Sequence, residues 1–311
     1  MPLDPQAKQL LDRLAAMELP PTSSLTPREA RAQMEAATLM LGPAARVARV
    51  EDRRIDGPGG RIRIRFTWPE GTGPFPCLVF FHGGGWVLGS IETHNGLCRA
   101  ITHAAGVVVA SVDYRLAPEH RFPAAVDDAF AATCWIAENA GTLDIDPERI
   151  AVGGDSAGGN LTAVVALKAR DLGGPRLVHQ LLIYPATNFD LDTPSYRQNA
   201  EGYMLTREDM EWFFGLYLSD PSDGSNPHVS PLRAPDLSGL PPAFVLTAEY
   251  DPLCDEGIAY ARRLEEAGVP VRLSNYRGMI HGFLRRYNFL DQGRHALDEV
   301  AEVLRAAFGL T

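Results

Sequence analysis

The chain has 311 residues, 45% hydrophobic and 22% charged, which suits one large globular domain or a domain carrying an insertion. A formal net charge of −10 with no basic tract sets nucleic acid aside as a partner. No apolar run approaches the roughly 20 residues that span a bilayer. The start, MPLDPQAKQLLDRLAAM, lacks a basic stretch followed by an apolar one, so no membrane partner and a cytoplasmic location are expected.

In chain order, Leu10, Leu11, Leu14 and Met17 recur at helical spacing, and PPTSSLT (20–26) ends that helix. Thr26 then reads as the N-cap of a second helix with Pro27 at its first position. ARVARVEDRRI and GRIRIRFTW alternate around Gly57-Pro58-Gly59-Gly60, the pattern of two antiparallel strands. After Pro76 the texture changes. Apolar runs at 77–81, 107–112, 149–154, 180–184 and 243–248 read as strands buried on both faces, and 271–276 as the last strand. Helical patterns lie between several of them, at 124–139 and 157–170, and 291–308 closes the chain. Strands alternating with helices predict an α/β fold with a mostly parallel sheet. Nearly sixty residues separate Tyr184 from Ala243, too many for a structureless loop, so a helical insertion over the C-terminal edge of the sheet is expected there, packing with the N-terminal helices as a cap. The expected division is 1–45 as the N-terminal part of the cap, 187–230 as its insertion, and 46–186 with 231–311 as the body.

Chemistry concentrates at strand ends. GDSAG (154–158) follows a predicted strand and precedes a predicted helix, fitting the G-x-S-x-G elbow that exposes a nucleophilic serine, here Ser156. The same letters also fit a plain glycine-rich strand-to-helix turn. A serine needs a base. His281, just past the last strand, is the leading histidine, with His120 as its main rival. The base needs an orienting carboxylate, and Asp251 follows the strand 243–248; equally, Asp251 before Pro252 reads as a helix N-cap. The chain order Ser156, Asp251, His281 is one that triad hydrolases use. FFHGGGWVLGS (80–90) leaves a buried strand with three glycines. The amides of Gly83 and Gly84, with that of Ala157, are the candidate oxyanion hole. No phosphate-loop or H-E-x-x-H pattern occurs, and Cys77, Cys98, Cys134 and Cys254 are scattered singly as in a reducing compartment, so neither cofactor nor metal is expected.

HGGGW, YRLAPEHRFPAA (114–125), GDSAGGNL, DPLCDEG and HGF, in this order, resemble the hormone-sensitive lipase-like (family IV) carboxylesterases of the α/β-hydrolase fold over about residues 46–311. The resemblance implies Ser156 as nucleophile, His281 as general base, Asp251 as orienting acid, and an oxyanion hole from Gly83, Gly84 and Ala157. It also implies a homodimer through the 271–276 edge strand. The expected substrate is a small ester of short-to-medium chain, held by Trp86, Tyr203, Met204, Leu205, Trp212, Phe213 and Phe214, residues whose other role is packing the cap on the body. An amidase or deacetylase on the same triad, or a non-catalytic binding relative, is the alternative.

Overall fold

The computed structural model describes residues 2–310. Two helices, α1 (Pro5–Ala15) and α2 (Pro27–Thr38), come first. Then follow β1 (Arg49–Gly57), β2 (Gly60–Trp68), β3 (Phe75–Phe81), α3 (Ile91–Ala105), β4 (Val108–Asp113), α4 (Ala124–Glu138), β5 (Ile145–Asp155), α5 (Ala157–Asp171) and β6 (Gln180–Ile183). The long interval supplies α6 (Pro194–Gln198) and α7 (Arg207–Tyr217). Then come β7 (Ala243–Tyr250), α8 (Cys254–Glu266), β8 (Val271–Ile280) and α9 (Asp291–Ala307). The eight strands form one sheet in the order β1-β2-β4-β3-β5-β6-β7-β8. β2 runs antiparallel to both β1 and β4, and the pairs from β4 through β8 are parallel.

The continuous apolar runs are explained by burial on both faces. In β3, Cys77, Val79 and Phe81 enter one hydrophobic cluster while Leu78 and Phe80 enter the other. β4 divides in the same way, with Val108, Ala110 and Val112 opposite Val109. Period-two alternation therefore sends successive side chains to opposite faces of the sheet, each buried under helices.

Local signals act as expected in several places. Thr26 accepts the Glu29 N–H while Glu29 reaches back to the Thr26 N–H, a capping box with Pro27 next to it. Two strands outrun their apolar patterns. β5 begins at Ile145 because that residue pairs with Phe75, and β8 continues through Arg277 and Gly278 to Ile280 alongside β7. α3 is not among the helices singled out above; Ser90 and Thr93 form its capping box. The interval between β6 and β7 does carry helices, and they lie at the C-terminal ends of the strands. α7 packs on the segment after β3, α6 on the segment after β7, and the turn at Thr22–Ser24 meets α7. Among the described residues, no helix is long and apolar enough to cross a membrane.

Candidate active site

Neighbouring parallel strands deliver the site. β3 and β5 pair side by side, with Phe81 opposite Gly154, so the glycine loop and GDSAG leave the sheet together. Ser156 sits between β5 and α5 with φ 59° and ψ −119°, a conformation strained for any residue with a side chain. It persists because its neighbours are small. A Cβ on Gly158 would run into the Phe81 carbonyl oxygen, and one on Gly154 into the carbonyls of Phe81 and Gly158. The Ser156 N–H donates to the Ile183 carbonyl at 2.9 Å, which locks the turn onto β6.

His281 follows the last residue of β8, and Asp251 the last residue of β7. His281 Nε2 lies 3.0 Å from Ser156 Oγ, and His281 Nδ1 lies 2.6 Å from Asp251 Oδ2. Asp251 is wholly buried and His281 9% exposed. Asp251 is not the N-cap that the sequence also allowed: Leu253 holds that position, while Asp251 Oδ2 faces the imidazole and Oδ1 accepts the Leu253 N–H at 2.9 Å in the turn ahead of α8. α8 itself begins at Cys254, so Pro252 precedes the helix. The Asn199 side chain, beyond α6, donates to the carbonyls of Asp251 and Glu249, each at 3.2 Å. Ser195 of α6 donates its hydroxyl to the Pro252 carbonyl at 2.6 Å. The insertion thus braces the loop that carries the acid, which no short motif announced. The rival His120 is exposed on its loop.

The glycine loop requires a correction. Gly83, expected as an oxyanion donor, gives its N–H to Asp155 Oδ1 at 3.0 Å, so that amide is occupied. Among the described residues no acceptor meets the N–H of Gly84, Gly85 or Ala157. Gly84 (φ +125°) and Gly85 (φ +59°) take conformations that favour glycine. The YRLAPE stretch supports this loop from behind. The Tyr114 hydroxyl donates to the His82 carbonyl at 2.6 Å, and the Ala117 N–H to the Trp86 carbonyl at 2.9 Å. Arg31 of α2 donates to the Val87 and Ala117 carbonyls, both at 2.8 Å. Burial pushes the pKa of the His82 imidazole, stacked on Tyr114, down to about 3, with the nearby His94 adding to the effect.

Residues 78–285 match the family model described as the alpha/beta hydrolase fold. The carboxylic ester hydrolase LipN of Mycobacterium tuberculosis is 46% identical over 286 residues, covering 89% of this chain and 75% of that protein. Ethyl acetate hydrolase of Pseudomonas putida is 39% identical over 293 residues, 92% of each. The crystal structure of the hyperthermophilic esterase from Pyrobaculum calidifontis is 46% identical with a TM-score of 0.93, covering 98% of this chain and 99% of that one. The chain belongs to the hormone-sensitive lipase-like carboxylesterases of the α/β-hydrolase fold.

The aromatic residues expected around the esterase's substrate divide into two groups. Trp86 is wholly buried, stacked on Tyr217 with centroids 4.4 Å apart and tilted on Phe214 at 5.3 Å. These rings weld α7 to the body, the packing role named as their alternative. Phe213 lies against Gly85, whose Cβ would strike its ring, so it stands beside the free amides. Trp212 packs edge-on against Phe213. Tyr203 tilts on Tyr250 at 4.8 Å, and Leu205 is buried. Met204 approaches Gly282, next to His281, and lines a cleft of about 690 Å³ between residues 11–23 and 200–211.

Proposed function

We propose that this carboxylic ester hydrolase works through a Ser156–His281–Asp251 triad and an acyl-enzyme, on small esters of short-to-medium chain. The chain of contacts from Asp251 through His281 to Ser156, at 2.6 and 3.0 Å, carries the reading. His281 Nε2 takes the Ser156 proton as Oγ attacks the ester carbonyl. The carbonyl oxygen becomes an oxyanion and settles on the open N–H groups of Gly84, Gly85 and Ala157, at the positive end of α5. His281 passes its proton to the leaving alkoxide, which departs as alcohol. Water then attacks the acyl-enzyme by the same proton path and releases the acid and Ser156. Asp251 keeps Nδ1 protonated and stabilises the imidazolium.

Residues 1–45 and 187–230 act as a cap over this centre in the reading proposed here, supported by the contacts of α7 with the Gly85–Trp86 segment and of α6 with the Asp251 loop. Phe213 against Gly85 and Met204 against Gly282, next to the base, support apolar walls on either side of the reacting centre. Relatedness to an ethyl acetate hydrolase supports the short end of the short-to-medium range. The test is hydrolysis of a p-nitrophenyl ester series beside matched amides. Activity should be highest on short-to-medium esters and lost in Ser156→Ala with its melting temperature retained; substantial turnover by Ser156→Ala refutes the assignment.

A further inference from the structure

Asp155, the residue before the nucleophile, has no part in the proton path, yet its carboxylate is buried directly behind the glycine loop. Oδ1 accepts the Gly83 N–H at 3.0 Å. His94 Nε2, from α3, lies 3.2 Å from Oδ1 and 3.3 Å from Oδ2, while His94 Nδ1 meets Thr93 Oγ1 at 2.9 Å. One side chain therefore joins the elbow after β5, the loop after β3 and the helix that follows it.

The bond to Gly83 gains force from what holds the other end of the same peptide group. The His82 carbonyl and the Gly83 N–H share one rigid plane. Tyr114 donates to that carbonyl at 2.6 Å while Asp155 accepts from that N–H. With the plane pinned at both ends, only the two backbone torsions of Gly83 separate it from the peptide that carries the Gly84 N–H. Nor is there room to drift, since a Cβ on Gly83 would come within 2.7 Å of Asp155 Oδ2 and 2.8 Å of its carbonyl oxygen. Burial alone would raise the pKa of Asp155. The adjoining His94 imidazole, the Arg285 guanidinium and the Gly83 N–H outweigh it and hold it down at about 2, so the acceptor is an anion under working conditions.

We infer that Asp155 is a positioning residue, which fixes the oxyanion amides relative to Ser156 by accepting the Gly83 N–H. This rests on the triad reading above. It does no chemistry itself, and its effect falls on the tetrahedral state rather than on substrate capture.

The experiment compares Asp155→Ala and Asp155→Leu, which remove the acceptor, with Asp155→Asn, which keeps an oxygen in place. A short p-nitrophenyl ester is the substrate, and a trifluoromethyl ketone, which adds to the serine as an oxyanion, is the inhibitor. Ala and Leu should lower kcat by about 10- to 100-fold with KM within about threefold, and weaken the ketone by the factor lost in kcat. Asn should recover kcat to within about fivefold of the parent. Unchanged kcat in Ala or Leu, a loss confined to KM, or an Asn variant as slow as Ala overturns the inference. If Ala and Leu do not fold, the Asn variant decides by hydrogen exchange over residues 83–89. Parent-like protection with recovered kcat supports the role, and parent-like protection with collapsed kcat overturns it. Failure of the triad reading shows separately, as a parent enzyme indifferent to Ser156→Ala.

Discussion

At the scale of single residues, the reacting geometry rests on positions where any added atom collides. Ser156 holds a strained backbone conformation, and Gly154 and Gly158 exist so that Phe81, on the neighbouring strand, can pass close by. Gly158→Ala should cost about 3 kcal/mol in urea unfolding and most of the activity, because the new methyl meets a backbone carbonyl that cannot rotate away. Gly141 is the control: nothing lies within 4 Å of its Cβ position, so Gly141→Ala should be neutral in the same assay. A comparable loss in both variants would show that the elbow glycines carry no special steric load. The division of labour within Asp251, one oxygen on the imidazole and one on the Leu253 N–H, is likewise a matter of single atoms.

Among elements, α7 decides how firmly the glycine loop is backed. Trp86 sits in a left-handed conformation (φ 61°), sustained by the near-parallel stack on Tyr217. The backbone joins in, with the Phe122 N–H on the Tyr217 carbonyl at 2.9 Å and Arg121 on the carbonyls of Gly215 and Leu218. The Tyr217 hydroxyl is buried and, among the described residues, has no hydrogen-bond partner. Tyr217→Phe should therefore leave stability unchanged or slightly raised. Tyr217→Ala opens a cavity under Trp86 and should cost about 3–5 kcal/mol, with kcat falling as the loop loosens. Thermal melting and steady-state kinetics on both variants check this; a Phe variant as damaged as the Ala variant would contradict the stacking argument.

For the molecule as a whole, buried histidines tie stability to acidity. Burial lowers the pKa of His82 to about 3 and of His179 to about 4, so both are neutral in the folded chain. Unfolded, each titrates near 6.5, and below that pH the unfolded chain binds protons that the folded one refuses. Their contribution is complete above pH 6.5 and declines as pH falls toward about 4, then about 3. Glu256 works in the opposite sense, since burial raises its pKa and favours the folded state where the carboxyl is protonated. Burial lowers His94 and His228 as well, and raises Asp113 and Asp209 alongside Glu256; the two aspartyl groups titrate mostly below the histidines' window, so the melting temperature should fall as pH drops from 6.5 toward 4, and scanning calorimetry showing no fall would refute this balance. At the sheet's edges, β1 bears Glu51, Asp52, Arg53 and Arg54, charges that discourage strand pairing. β8 is the other edge, and we propose that two copies pair along 271–276; sedimentation that finds only monomer across the accessible concentration range would rule this out.

The sequence by itself determined the class of the fold and picked out the three side chains of the proposed triad. Continuous apolar runs demand burial on both faces, and Ser156, Asp251 and His281 each stand directly after such a run or its extension. Those signals are local, because they depend on neighbours along the chain. What remained undetermined depends on contacts between distant segments. Which glycine amides stay open was settled only by Asp155 reaching across from β5 to take the Gly83 N–H, shifting the candidate donors to Gly84 and Gly85. Whether Trp86 lines a pocket or anchors α7 was settled by Tyr217, more than a hundred residues away. The brace from Ser195 and Asn199 onto the acid loop, and the extension of β8 that brings His281 to Ser156, are likewise products of packing. Hydrogen-bond partners far apart in sequence are assigned by the fold, and an amide's availability is a property of its partner as much as of its own residue.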